Sequence, residues 1–306
     1  MDPGILGGMT LARQLWQAYE PYHAIVYWAP EARSATDALG CSGYWMGYFG
    51  MRAAPLGPAP AAVVAATFYG FDPAMVARGV PEVWRRTSPG AMLAARLEAM
   101  DAALRRVLGA ARCASPEVAR AAQLCAQAAA GAEYAGRPLG AANAALALPD
   151  PPHLALWQAT TTLREHRGDG HVAALVHAGI SPVQSHITAA GSSAEAAAQY
   201  ATYRHVSADE WTEGVDGLRS RGWLDARGEV TPAGRAGRAA IEAATDDQAA
   251  QPWRALGPTR TQEVLDLLAP LARTVFEAGA VPRRNPIGVT PAGPVAAQGL
   301  APPEGV

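Results

Sequence analysis

Three cap–proline pairs constrain this chain more than any other feature. Ser88-Pro89, Ser115-Pro116 and Thr231-Pro232 each set a hydroxyl side chain directly before a proline. Serine or threonine there accepts a hydrogen bond from an early helix amide, and proline at the first helical position lacks only a donor that would be orphaned anyway. Helices are therefore expected to start at each pair, the longest being "GAMLAARLEAMDAALRRVLGAA". Thr10 caps "LARQLWQAYEPYHAIVYW", which Pro21 is expected to interrupt or kink. "AAVVAATFYGF" and "DPAMVARGVPEVW" read as short helices, and a last helix is expected over about 259–278. The predicted fold class is mainly α.

The prolines of "ALPDPPH" block helix continuation and mark the best domain boundary. They divide the chain into an N-terminal helical module (1–147) and a second module (148–281). The Pro/Gly-rich run from Pro282 to the end (282–306) is expected to be a disordered tail. An internal repeat crosses the boundary. "LWQA" occurs at 15–18 and again at 156–159, "HAIVYWAPEA" from His23 lies on "HVAALVHAGI" from His171, "YFGMR" (48–52) on "YATYR" (200–204), and Phe71 on Trp223. The order is kept and the offset grows steadily, as a duplication with insertions requires. Chance likeness between Ala-rich helices is the competing reading.

Composition removes several chemistries. All 25 basic residues are arginine, so a Schiff-base lysine and a P-loop lysine are excluded. The formal net charge of −2 gives no global pull toward nucleic acid or anionic lipid. Cys41, Cys113 and Cys125 show no CxxC spacing, and neither a signal peptide nor a run of about 18 apolar residues is present. A soluble, cytoplasmic protein with no membrane contact is expected. The lysine-free, Ala-rich composition suggests an actinobacterial-type genome.

"SADEWTEGVDGLRSRGWLDARGEVTPAGRAGRAAIE" resembles the core of a MarR-type winged-helix regulator. In that family a helix ends in Leu-x-x-Arg-Gly-aromatic-Leu, a short wing follows, and Thr-x-x-Gly-Arg opens the next helix. Here these are Leu218, Arg221, Gly222, Trp223 and Leu224, then the wing at 225–230, then Thr231, Gly234 and Arg235. "EPYHA", "RAAPLG", "LREHRGDGHVAAL" and "RGWL" make the whole chain similar to an actinobacterial two-domain family labelled helix-turn-helix. With the repeat, the resemblance implies two related winged-helix-like helical modules, a small β wing and a homodimer. It also implies DNA binding, which the residues disfavour. The helix that would enter the groove, 207–221, carries Asp209, Glu210, Glu213 and Asp216 before its first base, Arg219. Carboxylates facing phosphates remove the electrostatic term that supplies most non-specific affinity.

The stretch "LREHRGDGHVAAL" crowds Arg164, Glu165, His166, Arg167, Asp169 and His171 into eight residues. Gly168 and Gly170 weaken a helix there, and their missing side chains would admit another backbone or a ligand. Glu20 and His23 share a helix face if Pro21 does not break it, among Tyr22, Tyr27 and Trp28. "GYWMGYFGM", containing Tyr48 and preceding Arg52, reads as core or as the lining of an apolar pocket. These residues define a candidate site between the modules for a hydrophobic, partly polar small molecule. Its roles are His23 and His171 as proton-transfer groups, Glu20 and Asp169 as orienting carboxylates, and Arg164 or Arg167 as anion clamp, with His166, Glu165, Tyr22, Tyr27, Trp28, Tyr48 and Arg52 as ligand contacts. The expected function is small-molecule binding, extending to cofactor-independent acid–base chemistry in specialised metabolism. The alternative is a ligand-responsive winged-helix DNA-binding transcriptional regulator. Two plainer readings stand beside these: His23 as a satisfied core histidine, and the charged cluster as a buried salt-bridge network. No cofactor is predicted. Haem on His23 or His171, or a metal at Glu20-x-x-His23, stays open.

Overall fold

A single long helix, made of the stretch "PHLALWQATTTLREHRGDGHVAALVH", contributes to two of the fold's three hydrophobic clusters and joins them. The computed structural model describes residues 5–6 and 9–291. The chain begins with two short strands, β1 (Ile5–Leu6) and β2 (Met9–Thr10), paired antiparallel. Helices then follow in order: α1 (Leu11–Trp28), α2 (Pro30–Ala38), α3 (Gly43–Ala53), α4 (Ala61–Phe68), α5 (Pro73–Arg86), α6 (Pro89–Leu108), α7 (Ala110–Cys113), α8 (Pro116–Ala130) and α9 (Pro138–Ala144). After the proline-rich connection come α10 (Pro152–His177), α11 (Pro182–Ala190), α12 (Ala194–Arg204), α13 (Ala208–Ser220), α14 (Pro232–Ala249), α15 (Gln251–Leu256) and α16 (Pro258–Glu277). The fold is mainly helical, as expected. No helix among the described residues is long and apolar enough to cross a membrane.

The capping logic holds at each site. Ser88, Ser115 and Thr231 accept from Ala91 N, Val118 N and Gly234 N, and Thr10 accepts from Arg13 N. Of the two outcomes expected at Pro21, interruption does not occur: α1 is continuous through it. Proline removes one helix hydrogen bond, but Tyr19, Tyr22, Ala24 and Ile25 on either side of it are buried in the main core, and that packing carries the helix through.

The main core combines residues of α1, α2, α3, α6 and α8 with the first half of α10 and with α15 and α16. Leu154, Leu156, Trp157 and Leu163 of α10 thus pack in the same core as the N-terminal helices. Ala174 and Leu175, near its other end, belong to a second core with Ile187, Tyr200, Trp211, Leu218, Leu224 and Ile241 from α11–α14. At 1.5 Å per residue α10 is about 39 Å long, enough to span both. A third cluster gathers Phe49, Phe68, Phe71 and Val80 of α3–α5. The main core therefore draws on both sides of the 147/148 boundary.

Gly222, at φ 75°, ends α13 as the sequence suggests. At the expected β wing, the described residues form a turn closed by one antiparallel bridge between Leu224 and Val230, with Asp225 N donating to Glu229 O. Of the stretch expected as a disordered tail, residues 282–291 are described, with Asn285 and Val289 buried and Arg283, Arg284, Pro286 and Pro291 exposed. Val289 is buried and Asn285 Nδ2 donates to Pro282 O and Val289 O, a closed local turn. The remainder, 292–306, lies outside the described residues.

Candidate functional site: an aromatic and arginine-lined cavity between the two halves

A cavity of about 520 Å³ opens where α1, α3 and the α4–α5 loop face α10, α11, α12 and α14. One wall is aromatic: Trp16, Tyr27, Trp28, Tyr44, Trp45, Tyr48, Phe68 and Phe71. The other brings His171, His186, Tyr200, Tyr203 and Arg204 from the second half. A second cavity of about 660 Å³ lies behind it, lined by His23, Met51, Arg96, Asn143, Trp157, Thr161 and Glu165. Tyr27, Trp28, Tyr44, Tyr48 and Arg52 line both and form the partition. The "GYWMGYFGM" run divides accordingly. Tyr44, Trp45 and Tyr48 face the cavity, while Phe49 and Met51 are buried core.

The charged stretch of α10 closes into ion pairs. Arg52 grips Glu165 through Nε–Oε1 at 2.9 Å and Nη2–Oε2 at 3.0 Å, and Arg164 Nη1 donates to Glu165 Oε2 at 2.8 Å. Arg164 Nε reaches Glu20 Oε1 at 3.4 Å, and Trp16 Nε1 donates to Glu20 Oε2. On the far side Asp246 accepts from Arg167 at 2.6 Å and from Arg13 at 3.0 Å, and Glu242 pairs with Arg13 and Arg238. Burial alone would push Glu165 upward, but the Arg164 and Arg52 guanidiniums override it and hold its carboxyl well below the usual range. Glu20 lacks that double grip, and burial raises it. The network is half wall and half lock: Glu20, Arg164 and Arg167 also line the first cavity.

The two candidate histidines are built alike but do not share a cavity. His23 Nδ1 is 2.8 Å from Thr161 Oγ1, whose own hydroxyl donates to Trp157 O, so the ring N–H must be the donor. His23 Nε2 then accepts from Tyr27 OH at 2.9 Å. Its ring stacks on Trp157, and burial followed by the nearby Arg164 keeps it neutral. His171 Nδ1 is 2.9 Å from Thr245 Oγ1, which donates to Ile241 O, fixing the same tautomer. Its Nε2 has no protein partner among the described residues, and the ring lines the first cavity. Burial lowers His171 to about 4, so it is a neutral base at pH 7.

The other sequence candidates divide between lining and scaffold. Tyr27, Trp28, Tyr48 and Arg52 line the cavity. Tyr22 is core, its hydroxyl bonded to His153 O. His166 turns to the opposite face of α10, where it bonds Glu133 O, meets Tyr134 edge-on, and is lowered to about 4 by burial and then by Arg137. Asp169 also faces away, accepting from Gly140 N at 2.8 Å at the start of α9. Burial raises it to about 6. It therefore orients α9 rather than His171. Gly168 lines the cavity, whereas Gly170 admits Arg137, whose Nη1 lies 2.6 Å from where a Cβ would stand. Among the described residues no three His, Cys, Asp or Glu side chains group to hold a metal ion, and Cys41, Cys113 and Cys125 are buried and free.

Sequence reasoning missed Arg204, His186 and the loop 69–71. Tyr69 adopts φ 59° and its hydroxyl bonds Ile180 O, while Gly70 O accepts from His186 Nε2 at 2.9 Å. A side chain at Gly70 would meet His186 Cε1 at 3.0 Å. This loop straps the N-terminal half to α11. "FYGFDP" carried a turn signal, but its partner lies 116 residues away.

On the outer surface, α13 exposes Asp209, Glu210, Thr212, Glu213, Asp216 and Arg219, with Trp211, Val215 and Leu218 turned inward. The Arg219 guanidinium is itself engaged by Asp216, Asp225 O and Ala226 O.

No curated protein and no solved structure matches the chain. The sequence pattern of a helix-turn-helix family matches residues 12–282, nearly the whole described fold, and the chain belongs to that helix-turn-helix family.

Proposed function

We propose that this is a small-molecule-binding protein whose ligand sits between the N-terminal helices and the α11–α14 helix-turn-helix unit. The carrying observation is the cavity of about 520 Å³ whose two walls come from different halves of the chain. That volume is in the ordinary range for drug-sized ligands, which bind preferentially at such junctions. A ligand touching both walls couples α11 and α12 to the body.

Two finer readings belong with this one. The α11–α14 unit is a winged helix of the MarR type, with α13 in the recognition position and the turn after Leu224 as a minimal wing. The two halves are a duplication, in which α1 corresponds to α10 and α3 to α12. Supporting this, His23 and His171 both donate Nδ1 to a threonine hydroxyl that in turn bonds the carbonyl four residues earlier. The aligned Arg52 and Arg204 both lie over phenylalanine rings, Phe68 at 4.2 Å and Phe71 at 3.9 Å.

Acid–base catalysis at this site would rest on His171 alone, since His23 is spoken for on both nitrogens. The regulator reading is favoured by the family and by the cavity wall being made of α11 and α12. It is opposed by the four carboxylates on the exposed face of α13. Native mass spectrometry of the full chain after mild purification, beside a DNA mobility shift at physiological salt, tests both. A retained small molecule without a shift is the expected result. A salt-resistant shift with no ligand-dependent change would overturn the reading.

A further inference from the structure

We propose that the cavity takes a planar aromatic carboxylate, with Arg204 as its anion contact. This rests on the reading that the cavity binds a small molecule. Six guanidiniums line it: Arg13, Arg52, Arg164, Arg167, Arg204 and Arg238. The carboxylates paired with them are four, Glu20, Glu165, Glu242 and Asp246. Two positive charges are left over among the groups that line the cavity.

The surplus is located by the hydrogen bonds. Among the described residues Arg204 forms no ion pair, and its Nε and Nη1 are closed from solvent and find no acceptor there. Arg167 spends Nη2 on Asp246 and has a buried Nη1 with no acceptor. Leaving donors of a charged group buried and unpaired is expensive. Nε and Nη1 of Arg204 lie on different edges of the guanidinium, so each calls for a single charge-assisted bond from an anionic oxygen rather than for one two-oxygen fork. The histidines do not compete for this role. Burial holds His171 near 4 and, with Arg204, His186 near 3, so both are neutral at pH 7.

Ring geometry sets the rest of the ligand. The Arg204 guanidinium carbon lies 3.9 Å from the Phe71 ring centre and 5.9 Å from that of Trp45, and that of Arg167 lies 5.2 Å from the Trp16 ring centre. Both guanidiniums with unpartnered donors therefore lie within cation–π reach of aromatic rings that line the cavity. A flat apolar body carrying an acid group satisfies both surfaces, whereas an aliphatic acid leaves the rings unmatched and a neutral arene leaves the guanidinium unmatched.

The test titrates the full chain with three isosteric fluorescent probes: 2-anthracenecarboxylate, its primary amide, and anthracen-2-ylmethylammonium, read by anisotropy at pH 7.5. The carboxylate is expected to bind about 10-fold or more tighter than the amide, the scale of one charge-assisted pair, with the ammonium weakest. Arg204→Gln should abolish the preference and Arg204→Lys should keep part of it. Equal binding of all three overturns the anion assignment and leaves the cavity reading standing. Binding of none overturns both. Should Arg204→Gln fail to fold, the order of the three probes on the native chain decides alone.

Discussion

Glu165 on α10 and Arg52 on α3 meet through two parallel hydrogen bonds, 2.9 and 3.0 Å long, across 113 residues of sequence. Arg164 adds a third bond to the same carboxylate. Removing the carboxylate would leave the largely buried Arg52 without an ion-pair partner and Arg164 with Glu20 alone. Glu165→Gln is therefore expected to cost about 3–5 kcal/mol, the scale of a broken buried ion pair, measured as a drop in urea-unfolding free energy. A change under about 1 kcal/mol would mean that the pair behaves as a surface bridge.

Acid should unfold the protein in two stages. His171 and His166 are held near 4 and His186 near 3, all by burial first, against about 6.5 in an unfolded chain. Between those values the unfolded chain binds more protons, so stability falls as pH drops from about 6.5 toward 4. Glu165, held low by its arginines, contributes stability that is present above about 4.3 and lost as pH falls further. The midpoint of thermal unfolding at pH 7, 5.5 and 4.5 should decline at each step. A flat profile from 7 to 5.5 would show that the buried histidines are not protected from protonation.

Three glycines near α10 should respond differently to alanine. At Gly168 a Cβ meets only ordinary contacts, 3.6 Å to Glu165 Oε2, so Gly168→Ala should stabilise by up to about 1 kcal/mol through helix propensity. At Gly140 the obstacle is backbone, His166 Cα at 3.0 Å, and the α9–α10 contact cannot yield. Gly140→Ala should destabilise. Gly170→Ala lies between, because the Arg137 guanidinium at 2.6 Å can move aside at the expense of its bond to His166 O. Denaturation midpoints of the three variants give the order directly.

Duplex DNA should not be retained at about 150 mM salt. Four carboxylates on the outward face of α13 repel phosphates, and Arg219 is already engaged. Neutralising Asp209, Glu213 and Asp216 to their amides should raise weak, salt-sensitive binding without sequence preference. Tight binding by the native chain would place the nucleic-acid surface on another face.

Helix positions were legible because their signals are local. A cap oxygen and a proline act within three residues, so Ser88, Ser115 and Thr231 marked real starts. Gly222 likewise marked the end of α13. The crowded stretch of α10 was legible as a place of pairing or binding; Glu165 is paired, while Arg164, Arg167, Gly168 and His171 face the cavity. An interruption at Pro21 does not follow from its local penalty because the burial of its neighbours in the main core outweighs it.

The sequence by itself determined that this chain is helical, lacks lysine chemistry, and concentrates charge at one point of its longest helix. Tertiary structure alone decided which face each charge took. On α10 the 3.6-residue period sends Arg164, Arg167 and His171 to the cavity, and His166 and Asp169 to the opposite face against the loop at Glu133 and α9, a split that spacing permits but does not choose. It also chose Arg204, whose significance lies in what fails to surround it. A missing acceptor is a property of packing, and no pattern of neighbours along the chain encodes it.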